Sequence, residues 1–250
     1  MLKYQELKSR LDCLNNREII LIIGASSSIG QEFIKTLDLS KISVVAHYNS
    51  REILKQEGVF PIKANLESEL EVLHLINYIK TNHLIPNKIV HIASNQLILK
   101  HFKKMEWEEF QGILNIQIKS FMMIVKEFLP MMSKKNNSKV VTILSSVVFS
   151  KPPAHMANYV TAKYALLGLT KALASEYPKI SINSISPSMM DTSFINSIPD
   201  KILEIEANLN PLKRNVAVID VIKSIKFLLD DGSNFITGHN LPITGGAIFS

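Results

Sequence analysis

Tyr159 and Lys163 stand four residues apart, and Ser146 lies 13 residues before the tyrosine. On a helix, i, i+4 spacing puts the phenol and the ammonium on one face. Ser146 follows Val140-Val-Thr-Ile-Leu144, an apolar run that reads as a buried strand. A strand tip can hold a hydroxyl against a helix face. Phenol, ammonium and hydroxyl around one point can move a proton onto or off a substrate oxygen. The spacing alone says little: Tyr4 and Lys8 share it with no strand-tip serine before them. The strand-then-helix context is what carries the chemistry.

The elements that must position this trio follow a regular alternation. Apolar runs predict strands at 19–23, 42–47, 59–62, 88–93, 140–145, 180–186 and 241–244. Helical periodicity predicts helices at 28–38, 67–82, 106–133, around Tyr159 and at 217–230, with an irregular stretch from 187 to about 210. Strands alternating with helices argue for an α/β fold, a doubly wound parallel sheet of about seven strands with helices on both faces. No linker or internal repeat divides residues 18–250, so they read as a single domain. Leu2, Leu7, Leu11 and Leu14 predict a short amphipathic helix over 1–17 that extends the domain.

Gly24-Ala-Ser-Ser-Ser-Ile-Gly30 directly follows the first strand and opens the first helix. Main-chain N–H groups at a helix start attract an anion, and glycine lets a diphosphate come close. Ser26, Ser27, Ser28 and Ile29 would supply those groups. A serine-rich helix cap is the competing reading. Dinucleotide sites often place an acid at the end of the second strand to hold the adenine ribose. Here that strand ends in Tyr48-Asn49-Ser50-Arg51, with no carboxylate before Glu52. Arg51 and its small polar neighbours suit a 2′-phosphate, which favours NADP(H) over NAD(H).

Composition narrows the class. With 46% hydrophobic and 20% charged residues, the chain can bury a good core. No apolar run approaches the ~20 residues that span a bilayer, and Glu6 and Asp12 interrupt any signal-peptide core. A cytoplasmic protein with no membrane association is expected. A lone cysteine, Cys13, rules out an intramolecular disulfide or a cysteine cluster. His91, His101 and His155 show no metal-ligand spacing, so no metal is expected; His155, just before the Tyr159 helix, is a candidate pocket residue. The net charge of +6 shows no basic stripe interleaved with aromatics, which argues against nucleic acid. The densest basic patch, Lys134, Lys135 and Lys139, reads as a solvated loop or a landing site for an acidic carrier protein. Phe121, Met122, Met123, Phe128, Met131 and Met132 crowd the long helix, more apolar surface than a lone domain needs, which reads as a subunit interface against core packing alone.

In these segments, taken in order, the chain resembles the short-chain dehydrogenase/reductase family from about residue 19 to its C-terminus. The match runs through the Gly24–Gly30 loop, the Ser146/Tyr159/Lys163 trio, Asn183-Ser-Ile-Ser-Pro187 with Asp191-Thr192, and Ile236-Thr-Gly-His followed by Gly245-Gly246. Asn210-Pro-Leu-Lys-Arg214 and Phe235-Ile-Thr-Gly238 look most like the 3-oxoacyl-carrier-protein reductase branch. The resemblance implies a Rossmann-like fold and NAD(P)H-dependent reduction of a carbonyl on a small or acyl-thioester substrate. It makes Tyr159 the acid/base, Lys163 the ligand of the nicotinamide ribose, and Ser146 the hydroxyl that holds the substrate oxygen. The lysine's charge is expected to lower the phenol's pKa below its ordinary ~10. Pro187, Ser188, Met190 and Thr192 match the nicotinamide end of the cofactor site. Asn65 and Leu66 match the adenine contact, and Ala93 lines the cofactor. The resemblance also implies that the long helix builds the face of a homodimer or homotetramer.

Four departures from the family pattern surround this site. Ser28 replaces a loop glycine; were that position left-handed, serine would cost about 1–2 kcal/mol. His91-Ile-Ala-Ser94 replaces Asn-Asn-Ala-Gly, Gln117 aligns with the helix asparagine of the proton relay, and Ser188 replaces the glycine after Pro187. They motivate a second reading, a nucleotide-binding scaffold or sensor with little catalysis. A third is alcohol dehydrogenation in the opposite direction. Phe194, Ile195, Ile198 and Leu203 predict an apolar lid over the substrate.

Overall fold

The computed structural model describes residues 17–190, 192–195 and 199–248. The helix expected over 1–17, Cys13, Asp191 and Ile198 lie outside those residues or, for the helix, almost wholly so.

Seven parallel strands form one sheet in the order β3-β2-β1-β4-β5-β6-β7. They are β1 (Glu18–Ile23), β2 (Ile42–Tyr48), β3 (Val59–Lys63), β4 (Lys88–His91), β5 (Ser138–Ile143), β6 (Ile180–Pro187) and β7 (Asn240–Ile243). The strands read as unbroken apolar runs because both faces are covered. Along β1, Ile19, Leu21 and Ile23 enter one core, while Ile20 and Ile22 enter the other. The first core packs under α2 (Glu69–Thr81), α4 (Ser120–Met132) and α5 (Ala157–Glu176). The second packs under α1 (Ser28–Lys35) and α7 (Val218–Leu229). Strand order reverses between β1 and β4, so a crevice opens at their C-terminal ends, the usual ligand site of such sheets.

The long helix expected at 106–133 is three segments in continuity. α3 (Trp107–Leu114) runs into a π-helical turn (Asn115–Lys119) and then into α4. The π-turn swings Gln117 inward until it is fully buried. Pro130 sits inside α4.

Three expectations need correction. The irregular stretch between β6 and residue 210 contains a helix, α6 (Asp200–Leu209), which starts from Pro199. Of the apolar side chains assigned to a subunit interface, Phe121, Phe128 and Met132 are core residues, and only Met122, Met123 and Met131 reach the outside. The basic patch is smaller than expected: Lys134 is exposed and Lys135 half-buried, but Lys139 is withdrawn from the surface. Lys139 is buried and donates to Ser233 Oγ (3.0 Å) and Asn234 Oδ1 (2.7 Å), and Lys135 donates to Ile85 O (2.7 Å). Lys139 opens β5 and Lys135 lies in the turn before it, so they cap the sheet end remote from the crevice. Among the described residues, no helix is long and apolar enough to cross a membrane.

Candidate active site

The crevice is a cavity of about 1170 Å³. That exceeds the ~300–1,000 Å³ of ordinary small-ligand pockets, so a long cofactor and a substrate can share it. One arm follows the loop after β1, and the other runs under α6.

The loop arm is built from main-chain groups. Ser27 caps α1: its hydroxyl accepts from Gly30 N–H (3.1 Å) and donates to Gly24 O (2.8 Å). The first-turn N–H groups of Ser28 and Ile29 have no helical acceptor by construction, and both residues line the cavity. Gly24 has φ +89°, and a Cβ there would lie 2.7 Å from Ala93 N. Ala93 follows β4, so the two strand ends at the crevice touch through a glycine. Gly30 lies off the wall, packed against Ala25, where a Cβ would come within 2.6 Å of Ala25 main-chain atoms. Ser28 is the first residue of the helix and has no positive φ. The strain anticipated for serine at this position therefore does not arise. We expect Gly24→Ala to melt roughly 4–8 °C lower, since a left-handed alanine costs about 1–2 kcal/mol and Ala93 must shift as well. Calorimetry with and without NADPH checks this, and an unchanged midpoint would refute the close contact.

His47 was not legible as a site residue. Its buried ring accepts from Gly24 N–H at Nδ1 (3.0 Å) and donates from Nε2 to Ala64 O (2.9 Å). Burial lowers its pKa, so the neutral ring can hold the loop and the end of β3 together. Asn49, Ser50 and Arg51 follow on the cavity wall, with Leu66 beside them. Tyr48 and Asn65 are off the wall. Asn65 shapes the start of α2 instead, its Oδ1 accepting from Glu67 N–H (3.0 Å) and its N–H donating to Glu71 (2.7 Å).

At the other arm, α5 presents Tyr159 and Lys163 to the tips of β5 and β6. Both are buried, and both line the cavity. Lys163 Nζ donates to Ile143 O at 2.9 Å and stands 5.5 Å from the centre of the Tyr159 ring. Ser145 lies close enough to the tyrosine hydroxyl to lower its pKa. Ser145 is extended (φ −164°, ψ 155°), and Ser146 opens the short turn that follows it, also on the wall. Ser145 and Ser146 thus line the same cavity as Tyr159 and Lys163. Pro187, Ser188, Met190 and Thr192 line the wall after β6. Phe194 and Ile195 line it too, joined by Ile202 and Glu206 of α6. Leu203 packs behind them. His155 is exposed with φ +69° and is not on the wall, although its neighbours Ala154 and Met156 are.

The electrostatics differ from the expected pattern. Burial pushes the Tyr159 phenol up to about 12, and the nearby Ser145 hydroxyl only partly opposes it. Burial alone brings Lys163 down to about 7. The lysine does not acidify the phenol here, because its Nζ faces the tyrosine ring and the Ile143 carbonyl and because desolvation disfavours both charges. The arrangement therefore holds Tyr159 as a protonated acid at neutral pH. Gln117 lies off the cavity wall and donates to Ser94 Oγ (2.9 Å).

Among the described residues, no three His, Cys, Asp or Glu side chains converge as a metal set. The ring of His101 does approach that of His155, with centroids 5.3 Å apart. The donor set of the crevice suits a dinucleotide. A helix start with a glycine cradle suits a diphosphate, Arg51 lines the same cavity, and so do a lysine and a phenol one helical turn apart.

Known proteins resemble this chain in sequence and fold. A family model described as enoyl-(acyl carrier protein) reductase matches residues 24–247. The 3-oxoacyl-[acyl-carrier-protein] reductase FabG of Pseudomonas aeruginosa is 27% identical over 248 residues, covering 93% of this chain and 98% of its own length. A short chain dehydrogenase family protein from Francisella tularensis superimposes with a TM-score of 0.83 at 24% identity, covering 92% of this chain and 98% of that one. ElxO with NADP bound superimposes with a TM-score of 0.80 at 24% identity, covering 92% and 98%.

Proposed function

Because the chain belongs to the short-chain dehydrogenase/reductase family, we propose that it reduces a carbonyl to a hydroxyl with NADPH, acting on a 3-oxoacyl thioester or a related ketone. The observation that supports this most is the buried Tyr159 phenol, its pKa pushed up to about 12, on the wall of a cavity that also holds a helix start suited to a phosphate. The bound nicotinamide would supply the hydride. Tyr159 then gives its proton to the developing alkoxide. Ser145 stands near the phenol, which leaves the Ser146 hydroxyl for the substrate oxygen. Lys163 holds the nicotinamide ribose with the ammonium hydrogens that Ile143 leaves free. Phe194, Ile195 and Ile202 shut water out over the substrate. Met122, Met123 and Met131, the outward part of the long helix, would serve self-association.

FabG relatives act on thioesters of an acyl carrier protein, as their name states, and we extend that substrate class to this chain. The matching family description instead concerns enoyl reduction, so the assay should carry both. NADPH oxidation is expected with acetoacetyl thioesters and not with crotonyl thioesters. Tight NADPH binding without turnover on any carbonyl would favour the scaffold or sensor reading.

The 2′-phosphate preference rests on Arg51. Arg51→Ala is expected to weaken NADPH binding roughly five- to tenfold and to leave NADH within about twofold, as for an exposed charge-assisted contact. Fluorescence titration of both cofactors checks it. Equal losses for the two would refute the assignment.

A further inference from the structure

Helix α6 walls the cavity without being rooted in the core. None of its side chains is buried, and Ile202, Ile205 and Leu209 are exposed. A helix with so few buried apolar contacts has low local stability, so polar ties decide where it sits. Two of them come from the segment that follows it. Asn215 Nδ2 donates to Leu203 O (3.0 Å), and Lys213 Nζ donates to Asn208 O (2.8 Å).

Asn210 reaches further. It ends α6 and is itself buried. Its N–H donates to Glu206 O (3.0 Å) and its Oδ1 accepts from Leu212 N–H (2.9 Å), which closes the helix. Its Nδ2 donates to Thr244 O (2.9 Å), just past β7 and 34 residues along the chain. Thr244 in turn builds the C-terminal turn. Its carbonyl also accepts from Ala247 N–H (3.1 Å), and its Oγ1 donates to Ile248 O (3.1 Å). Ala247 and Ile248 line the cavity, as do Ile202 and Glu206 of α6. One buried amide therefore joins two pieces of the same wall. Gly245 lets it do so: a Cβ there would lie 2.6 Å from Asn210 Oδ1.

Resting on the reductase reading, we propose that Asn210 is a positioning residue for the substrate. It fixes α6 and the C-terminal turn as one wall, and that joined wall grips the acyl chain beyond the carbonyl. Phe194 already packs on Tyr159, with ring centroids 5.7 Å apart. A short acyl group is held there and has little need of the joint, whereas a longer one runs on to Ile202 and Ile248.

The test is steady-state kinetics of the full chain with acetoacetyl and 3-oxooctanoyl thioesters. Asn210→Asp keeps the acceptor for Leu212 N–H and replaces the donor that faces Thr244 O, so it cuts the joint and spares the helix end. Its KM for the 3-oxooctanoyl thioester is expected to rise about tenfold, with the KM for the acetoacetyl thioester and both kcat values within about twofold, as for the loss of one buried hydrogen bond. Gly245→Ala presses on the same amide from the other side. It should repeat this signature, and it serves if Asn210→Asp does not fold. A merely structural role would lower the melting temperature and scale both substrates alike; that pattern, or any other in a folded variant, overturns the proposal. If the parent reduces neither thioester, the reductase reading fails, and amide hydrogen exchange of Asn210→Asp then decides the joint. Exchange is expected to quicken about tenfold in both 200–210 and 244–248, and quickening in one segment alone or in neither overturns it.

Discussion

Tyr159→Phe is expected to lower turnover about 10²–10⁴-fold, the usual worth of a positioned general acid, without loosening the fold or NADPH binding. The ring is 6% exposed and packs in the small apolar cluster at the cavity, with Phe194 5.7 Å away. Phenylalanine fills that space. What disappears is the proton at the substrate oxygen, while the nearby Ser145 hydroxyl keeps its contact with Val147 N–H. The pH profile of the parent follows from the same burial. An acid must be protonated to act, and this phenol is pushed up to about 12, so its own ionisation should not limit reduction across neutral pH. Its contribution falls only as the pH climbs towards that value. Stopped-flow turnover from pH 6 to pH 10 (roughly the span between the ordinary histidine and tyrosine pKa values) checks this. A Tyr159→Phe protein that still reduces the same ketone at a comparable rate would remove Tyr159 from the mechanism.

Much of this architecture is local and therefore readable from the chain. β1 and β5 are apolar runs because a two-faced sheet leaves no solvent side, and the Gly24–Gly30 loop is contiguous. The Tyr159/Lys163 pair needs only helical spacing. What sequence could not deliver depends on partners distant in the chain. His47 binds the loop through a nitrogen 23 residues from its partner. Lys139 looked like surface until Ser233 and Asn234, over 90 residues away, came to its ammonium. Phe121 and Phe128 looked surplus because the depth of the core under α4 is set by strands elsewhere. Which of two adjacent serines meets the phenol depends on the extended backbone at Ser145, which residue type does not dictate. The helix α6 was within reach: Ile202, Ile205 and Leu209 recur at near-helical spacing after Pro199. Reading the stretch as irregular undervalued that period.

Lys163→Met is expected to abolish turnover and yet to raise the melting temperature at pH 7, measured without added nucleotide. The ammonium is 3% exposed, and among the described residues no carboxylate pairs with it. Burial alone moves its pKa from 10.5 to about 7. In the window between those values the unfolded lysine carries a proton that the folded one tends to release, so stability rises with pH across it. Conversely, stability is lost as pH falls from the unfolded pKa through the folded one. The native-state penalty near pH 7 is on the order of 4 kcal/mol. Methionine keeps the straight apolar stem and drops the charge. It also forfeits the charge-assisted bond to Ile143 O, a loss of about 1.5–3 kcal/mol. The balance favours the variant by about 1–3 kcal/mol, or several degrees for a chain of this size. The gap should close as the pH rises towards 10, because the parent then folds with a neutral amine at little cost. A variant that melts below the parent at pH 7, by a margin that does not change with pH, would show that the buried ammonium is not the strained group this site requires.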